Sequence, residues 1–164
     1  MAACLLRIDD RLLHGQVLVA WAQALRPQRI LLASDEIAAY PVRSAVYAGL
    51  PQEDYELAVE TLAEAAHELR AASAGGGKGL LVVCASPAEA HRLLELGAPV
   101  RHVNVGGMHH AEGKRQLLGY VFLSRQDAEE LRALLQLGVE VEARDLPGSR
   151  GARIDAAALE NLWA

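Results

Sequence analysis

The run Leu80-Leu-Val-Val-Cys84 has no polar face. A strand of that kind must be covered on both sides, which is the condition of a parallel sheet packed between helices. Further short apolar runs occupy 3–8, 29–33, 103–105, 118–123 and 139–143, with a weaker one over 55–59. Helix-like segments lie between them over 16–25, 37–49, 61–72, 86–96 and 124–136. Their ends carry recognisable signals. Thr61 and Ser124 stand at N-cap positions, and Ser86-Pro-Ala-Glu89 reads as a capping box with proline at the first helical position. Pro27, Gly97 and Gly138 act as stops. Leu62, Ala65, Ala66 and Leu69 recur at helical spacing. This alternation predicts a single doubly wound α/β domain with a mainly parallel sheet and helices on both faces. A chain of 164 residues suits one domain. Residues 1–147 carry the pattern. The Gly/Arg-rich stretch over 148–164 is set apart as a tail with a short helix over 154–163.

Apolar residues make up 52% of the chain, yet no run approaches the roughly 20 residues that span a bilayer. The start has no basic region followed by a long apolar run and a cleavage site, so it reads as a first strand, and the cytoplasm is the default compartment. A net charge of −5, with four Tyr, two Trp and one Phe, argues against a nucleic-acid surface. Cys4 and Cys84 fall inside apolar runs and read as small buried hydrophobes rather than disulfide partners.

Open α/β sheets bind ligands outside the carboxyl ends of their strands. The loops there are 9–16, 34–36, 85–86 and 104–110. The first contains His14 in Arg7-Ile-Asp-Asp-Arg-Leu-Leu-His-Gly-Gln-Val17, where a strand hands over to a helix. A neutral imidazole there suits a phosphoryl acceptor. Arg11 offers a planar fork of donors for phosphate oxygens, and the amides of Gly15 and Gln16 open a helix whose dipole favours an anion. Gly15 permits a tight turn and close backbone approach. Asp9 or Asp10 would orient Arg11 or the imidazole. On residue types alone a second reading stands beside this one. His14 then caps or packs, the two aspartates are turn residues, and Arg11 makes a surface ion pair.

At these residues the chain closely resembles the active-site segment of the IIB component of mannose/fructose/sorbose-family sugar phosphotransferase systems, with Leu13 where isoleucine is usual. Matches follow in the family's order: Trp21, Ser34-Asp-Glu36, Val103-Asn-Val-Gly-Gly-Met108 with Gly113-Lys114, and Gly138-Val-Glu-Val-Glu-Ala-Arg144 with Pro147. The resemblance covers residues 3–147. It implies a seven-stranded, mainly parallel sheet and a protein-phosphohistidine–sugar phosphotransferase. His14 would take a phosphoryl group through Nδ1 from a IIA partner and pass it to a sugar brought in by IIC and IID membrane components. Arg11 would steady the group. Asp10, Gly15, Gln16, Asp35, Gly106 and Gly107 are the expected supporting residues. No cofactor or metal is implied, and a homodimer is common in the family. The alternatives are a regulatory phosphocarrier that never serves a sugar, and a non-catalytic domain that binds small anions.

Other motifs carry less. Gly75-Gly-Gly-Lys-Gly79 is not a P-loop, because Ala72 holds the first glycine position, Gly79 replaces the hydroxyl residue, and a strand follows. It reads as a flexible surface loop. His102, His109 and His110 lack ligands at metal spacing, and the last two are expected on the rim of the pocket. Asp35 and Glu36 are read either as caps of the next helix or as contacts of the active loop. Met108 is expected to pack beneath the loop.

Overall fold

Each inner strand divides its side chains between two cores, which is why these strands show no polar face. The computed structural model describes residues 4–50, 54–76 and 79–164. Its strands are β1 (Cys4–Ile8), β2 (Arg29–Ala33), β3 (Glu56–Glu60), β4 (Leu80–Cys84), β5 (His102–Val105), β6 (Arg115–Leu118), β7 (Val121–Leu123), β8 (Glu140–Ala143) and β9 (Ala152–Ile154). Its helices are α1 (Gly15–Leu25), α2 (Asp35–Ala38), α3 (Pro41–Ala48), α4 (Leu62–Ala71), α5 (Pro87–Glu95), α6 (Arg125–Gln136) and α7 (Ala156–Trp163). Ile30, Leu32, Leu81 and Val83 pack with Leu18 and Trp21 of α1. Their neighbours Leu31, Leu80, Val82 and Cys84 pack with Leu69 of α4, Leu93 of α5 and Leu131 of α6.

The main sheet has seven strands in the order β3-β2-β4-β1-β5-β8-β9. All its pairings are parallel except β8 with β9. β1 lies at the centre, between β4 and β5. The chain leaves β1 toward the β2–β3 edge and leaves β5 toward the β8–β9 edge. The loops after these two neighbours therefore diverge and open a crevice at their carboxyl ends. Among the described residues no helix is long and apolar enough to cross a membrane.

Local signals set the helix ends as expected. Thr61 and Glu64 form a reciprocal capping box, as do Ser124 and Asp127. Ser86 accepts from the Glu89 amide, while the Glu89 carboxylate takes the Ala85 amide.

The helix expected over 37–49 is instead two helices. Pro41 has no amide to give, and Tyr40 before it is extended at φ −113° and ψ 98°. The strand expected over 118–123 is half of a hairpin, because the chain reverses at Gly119-Tyr120 and β6 pairs antiparallel with β7. Cys84 is buried, but Cys4 is exposed at the open end of β1. Cys4 pairs with Leu80 and Ile8 with Cys84, so the two thiols sit at opposite ends of adjacent strands. Residues 148–164 supply the sheet's last strand and α7, whose Leu159 is fully buried. Trp163 lies under the Arg115 and Arg125 guanidiniums at 4.7 and 5.1 Å. Within the glycine-rich segment Gly75 has φ 92°, and Gly77 and Lys78 lie outside the described residues.

Candidate active site

Leu6 and Ile8 face the core beneath α4–α6, so strand alternation turns Arg7 to the opposite side, beneath Trp21 of α1. Arg7 is only 2% exposed. A buried guanidinium needs a full set of acceptors, and β5 supplies one through its register, which pairs Arg7 with Asn104. Arg7 Nη1 donates to Asn104 Oδ1 and to the Arg144 carbonyl at 2.9 Å. Nη2 donates to Asp9 Oδ2 and to the Asp145 carbonyl, both at 3.0 Å. Trp21 covers the guanidinium at 5.0 Å and donates Nε1 to the same Asp145 carbonyl at 3.0 Å. Burial lowers the proton affinity of Arg7, and Asp9 opposes that shift.

Asp9 is fully buried and joins this base to the surface loop. Its Oδ1 accepts from the Arg11 amide at 3.1 Å and from Arg11 Nε at 3.2 Å. The turn that follows holds Leu12 at φ 59°, a left-handed conformation that costs a leucine energy. The Leu12 amide closes the turn onto the Asp9 carbonyl at 2.9 Å. His14 then stands at the N-cap of α1 with extended backbone and no side-chain capping bond.

The His14 side chain is 30% exposed, with Nε2 at 3.9 Å from Asp9 Oδ2. Nε2 is buried and has no hydrogen-bond partner among the described residues. Burial pushes the imidazole pKa below its ordinary value. The cations Arg11 and Arg7, with His109, push it the same way, while Asp9 resists. The ring is therefore neutral near pH 7, with a free lone pair on one nitrogen. The first turn of α1 contains no acidic residue, so its unpaired amides and positive dipole end stay open to an anion.

Gly106 and Gly107 form the opposite wall. A Cβ on Gly106 would collide with the Arg7 guanidinium. A Cβ on Gly107 would lie 2.7 Å from Arg11 Nη2 and 2.9 Å from Arg11 Nε. The double glycine therefore makes room for two arginines lying against the backbone. At Gly15 a Cβ would meet nothing within 4 Å.

The structure thus brings His14, Arg11, Gly15, Gly106 and Gly107 to one crevice. Asp10 reaches the rim, where its carboxylate accepts from the His109 amide at 2.7 Å and pairs with His109 Nδ1 at 2.6 Å. Gln16 lies in the first turn of α1, and its side chain is outside the described residues. Asp35 is engaged elsewhere: Oδ1 accepts from the Leu62 amide at 2.8 Å and so caps α4. Ser34, not Asp35, caps α2 by accepting from the Ile37 amide. Met108 is buried beneath the loop. The other histidine expected on the rim, His110, lies edge-on to Phe122, and His102, in β5, pairs with Glu140 at 3.1 Å. Arg7 and Asn104, which underlie the crevice, were assigned no role from the sequence. Their signal was present, since each is a polar residue in the middle of an otherwise apolar strand.

Known proteins resemble this chain in sequence and in fold. The family model of the PTS system sorbose subfamily IIB component matches residues 3–161, reaching past 147 into the last helix. The N-acetylgalactosamine-specific phosphotransferase enzyme IIB component 1 of Escherichia coli K12 is 31% identical over 152 residues, 92% of this chain and 94% of that protein. The PTS system mannose-specific EIIAB component of the same strain is 33% identical over 144 residues, 88% of this chain and 44% of that protein. The IIBSor domain of the sorbose permease from Klebsiella pneumoniae superposes with a TM-score of 0.86 at 27% identity, covering 98% of each chain. The chain belongs to the sorbose subfamily of PTS system IIB components.

Proposed function

We propose that this protein carries a phosphoryl group on His14 Nδ1, taking it from the phosphohistidine of a IIA partner and passing it to a sugar handled by IIC and IID membrane components. The observation that carries the assignment is the placement of His14 Nε2, buried and 3.9 Å from the Asp9 carboxylate. The carboxylate is beyond hydrogen-bond reach, but its negative charge on that side favours the tautomer with the proton on Nε2 and the lone pair on Nδ1. Nδ1 then attacks phosphorus as the donor's P–N bond breaks, and no proton needs to move.

The incoming group is a dianion, and the chain's own residues meet its charge. Arg11 is 35% exposed and bonds Asp9 through Nε and Nη2, which leaves its outer donors for phosphate oxygens. The amides at the start of α1 supply further fixed donors that cost no reorganisation. Asp9 does not repel the group, because two guanidiniums already neutralise it.

The test is direct. Incubation with phosphorylated IIA should yield an acid-labile, alkali-stable phosphoryl group that is absent from His14→Ala. A wild-type protein that takes up no phosphate refutes the assignment. The sugars named for the relatives, N-acetylgalactosamine, mannose and sorbose, form the acceptor panel. A purely regulatory carrier would load at His14 and pass phosphate to no sugar.

A further inference from the structure

We propose that His109, held by Asp10, is the base that takes the proton from the hydroxyl group attacking phospho-His14. This deepens the phosphocarrier reading and rests on it. Loading of His14 from another phosphohistidine moves no proton, but transfer to a hydroxyl releases one. As the N–P bond at His14 breaks and the O–P bond forms, His14 leaves as a neutral ring with its Nε2 proton. The hydroxyl proton must then go to a separate acceptor.

Among the described residues around His14 few acceptors remain. Asp9 is fully buried and bound by two guanidiniums. Arg7 and Arg11 only donate. His109 differs on every count. It sits on the segment that follows β5, two residues beyond the glycine against which Arg11 lies. Its side chain is 62% exposed. It is bonded to Asp10, four residues before His14 on the loop that forms the other wall of the crevice.

Asp10 gives His109 the arrangement a base requires. One carboxylate oxygen takes the His109 amide at 2.7 Å and the other meets Nδ1 at 2.6 Å. Because the carboxylate only accepts, Nδ1 carries the proton and Nε2 presents its lone pair outward. A base within hydrogen-bond reach of a third, orienting group is the geometry of general base catalysis on other folds. The Asp10 amide also donates to the Gly107 carbonyl at 2.9 Å, so the dyad is clamped between the two loops that form the crevice. The proton accepted at Nε2 is afterwards lost to solvent, which the exposed ring meets directly.

The informative variant is His109→Asn, whose side-chain amide keeps a donor for Asp10 where Nδ1 stood but has no basic nitrogen. Loading of His14 from phosphorylated IIA should stay within about twofold of wild type, while transfer to sugar slows by ~10²-fold. The assay follows labelled phospho-protein in a single turnover, with membranes holding IIC and IID and the three sugars of the panel. His109→Asn that transfers like wild type overturns the proposal. Loading and transfer that fall together also overturn it, because His109 then only positions the loops. Wild-type phospho-protein that passes phosphate to no sugar refutes the transfer reading itself.

Discussion

Adjacent glycines in the second wall should respond to the same substitution in opposite ways. Neither Gly106 nor Gly107 has positive φ, so the backbone at both accepts alanine. The difference lies in what the new methyl group meets. At Gly106 it strikes the Arg7 guanidinium, which is 2% exposed and bound to Asp9, Asn104 and two carbonyl groups. The guanidinium has no solvent to move into, and displacing it breaks a buried ion pair at a cost of ~3–5 kcal/mol. That is a large share of a domain stability of ~5–15 kcal/mol. With ~2–4 °C per kcal/mol for a chain of this size, the midpoint should fall by roughly 6–20 °C. At Gly107 the methyl group strikes Arg11, whose contact atoms lie 2.7 to 3.0 Å away but whose side chain is 35% exposed. It can swing outward by giving up its bonds to Asp9, which keeps Arg7 and the Arg11 amide. Gly107→Ala should keep its stability within about 1 kcal/mol and lose loading of His14 by ~10²-fold as the donor leaves its place. Thermal unfolding and loading from phosphorylated IIA, measured on both variants, make the comparison. Equal destabilisation of the two variants would refute the claim that one arginine is structural and the other free to act.

Two further outcomes follow from the same geometry. His14 holds its proton less tightly in the folded protein than in the unfolded chain, chiefly through burial and then through Arg11. The unfolded state therefore binds more protons as pH falls through the ordinary value of 6.5, and stability is lost there rather than gained. Loading should accordingly hold level through pH 6.5 and decline only below it, and a decline that begins above pH 7 in a pH–rate profile would contradict the lowered affinity. Asp35→Ala removes the cap that Oδ1 provides to the Leu62 amide and should cost about 1 kcal/mol in urea unfolding. Its loading rate should match wild type, and a tenfold loss would return Asp35 to the active loop.

Features that the chain encodes within a few residues are legible in its sequence. Ser124 with Asp127, Thr61 with Glu64 and the stop at Gly138 set helix ends through bonds that span one turn. The unbroken apolar runs require a sheet covered on both faces. The carboxyl-edge rule places His14 and the Gly106–Gly107 loop on the same edge of the sheet, and the strand order then makes β1 and β5 neighbours. Pro41 also breaks a helix locally, and its position marks the break at Tyr40 that a periodicity reading runs through.

Other features depend on strand order, which no short window of sequence carries. Arg7 meets Asn104 across 97 residues of chain and the Arg144 carbonyl across 137, only because β1, β5 and β8 lie side by side. The double glycine reads locally as a second wall for phosphate. In the folded protein it is the space that two arginines occupy. Asp35 reads locally either as a cap of the next helix or as a contact of the active loop, and in the folded protein it meets the start of α4, 27 residues on. The apolar pattern by itself determined the layers of this protein and the edge on which its chemistry sits. Asp9 finds its two guanidiniums within two residues of chain on either side. Tertiary structure alone decided what completes the shell of buried Arg7, because Asn104 and the Arg144 and Asp145 carbonyls reach it only through the order and register of the strands.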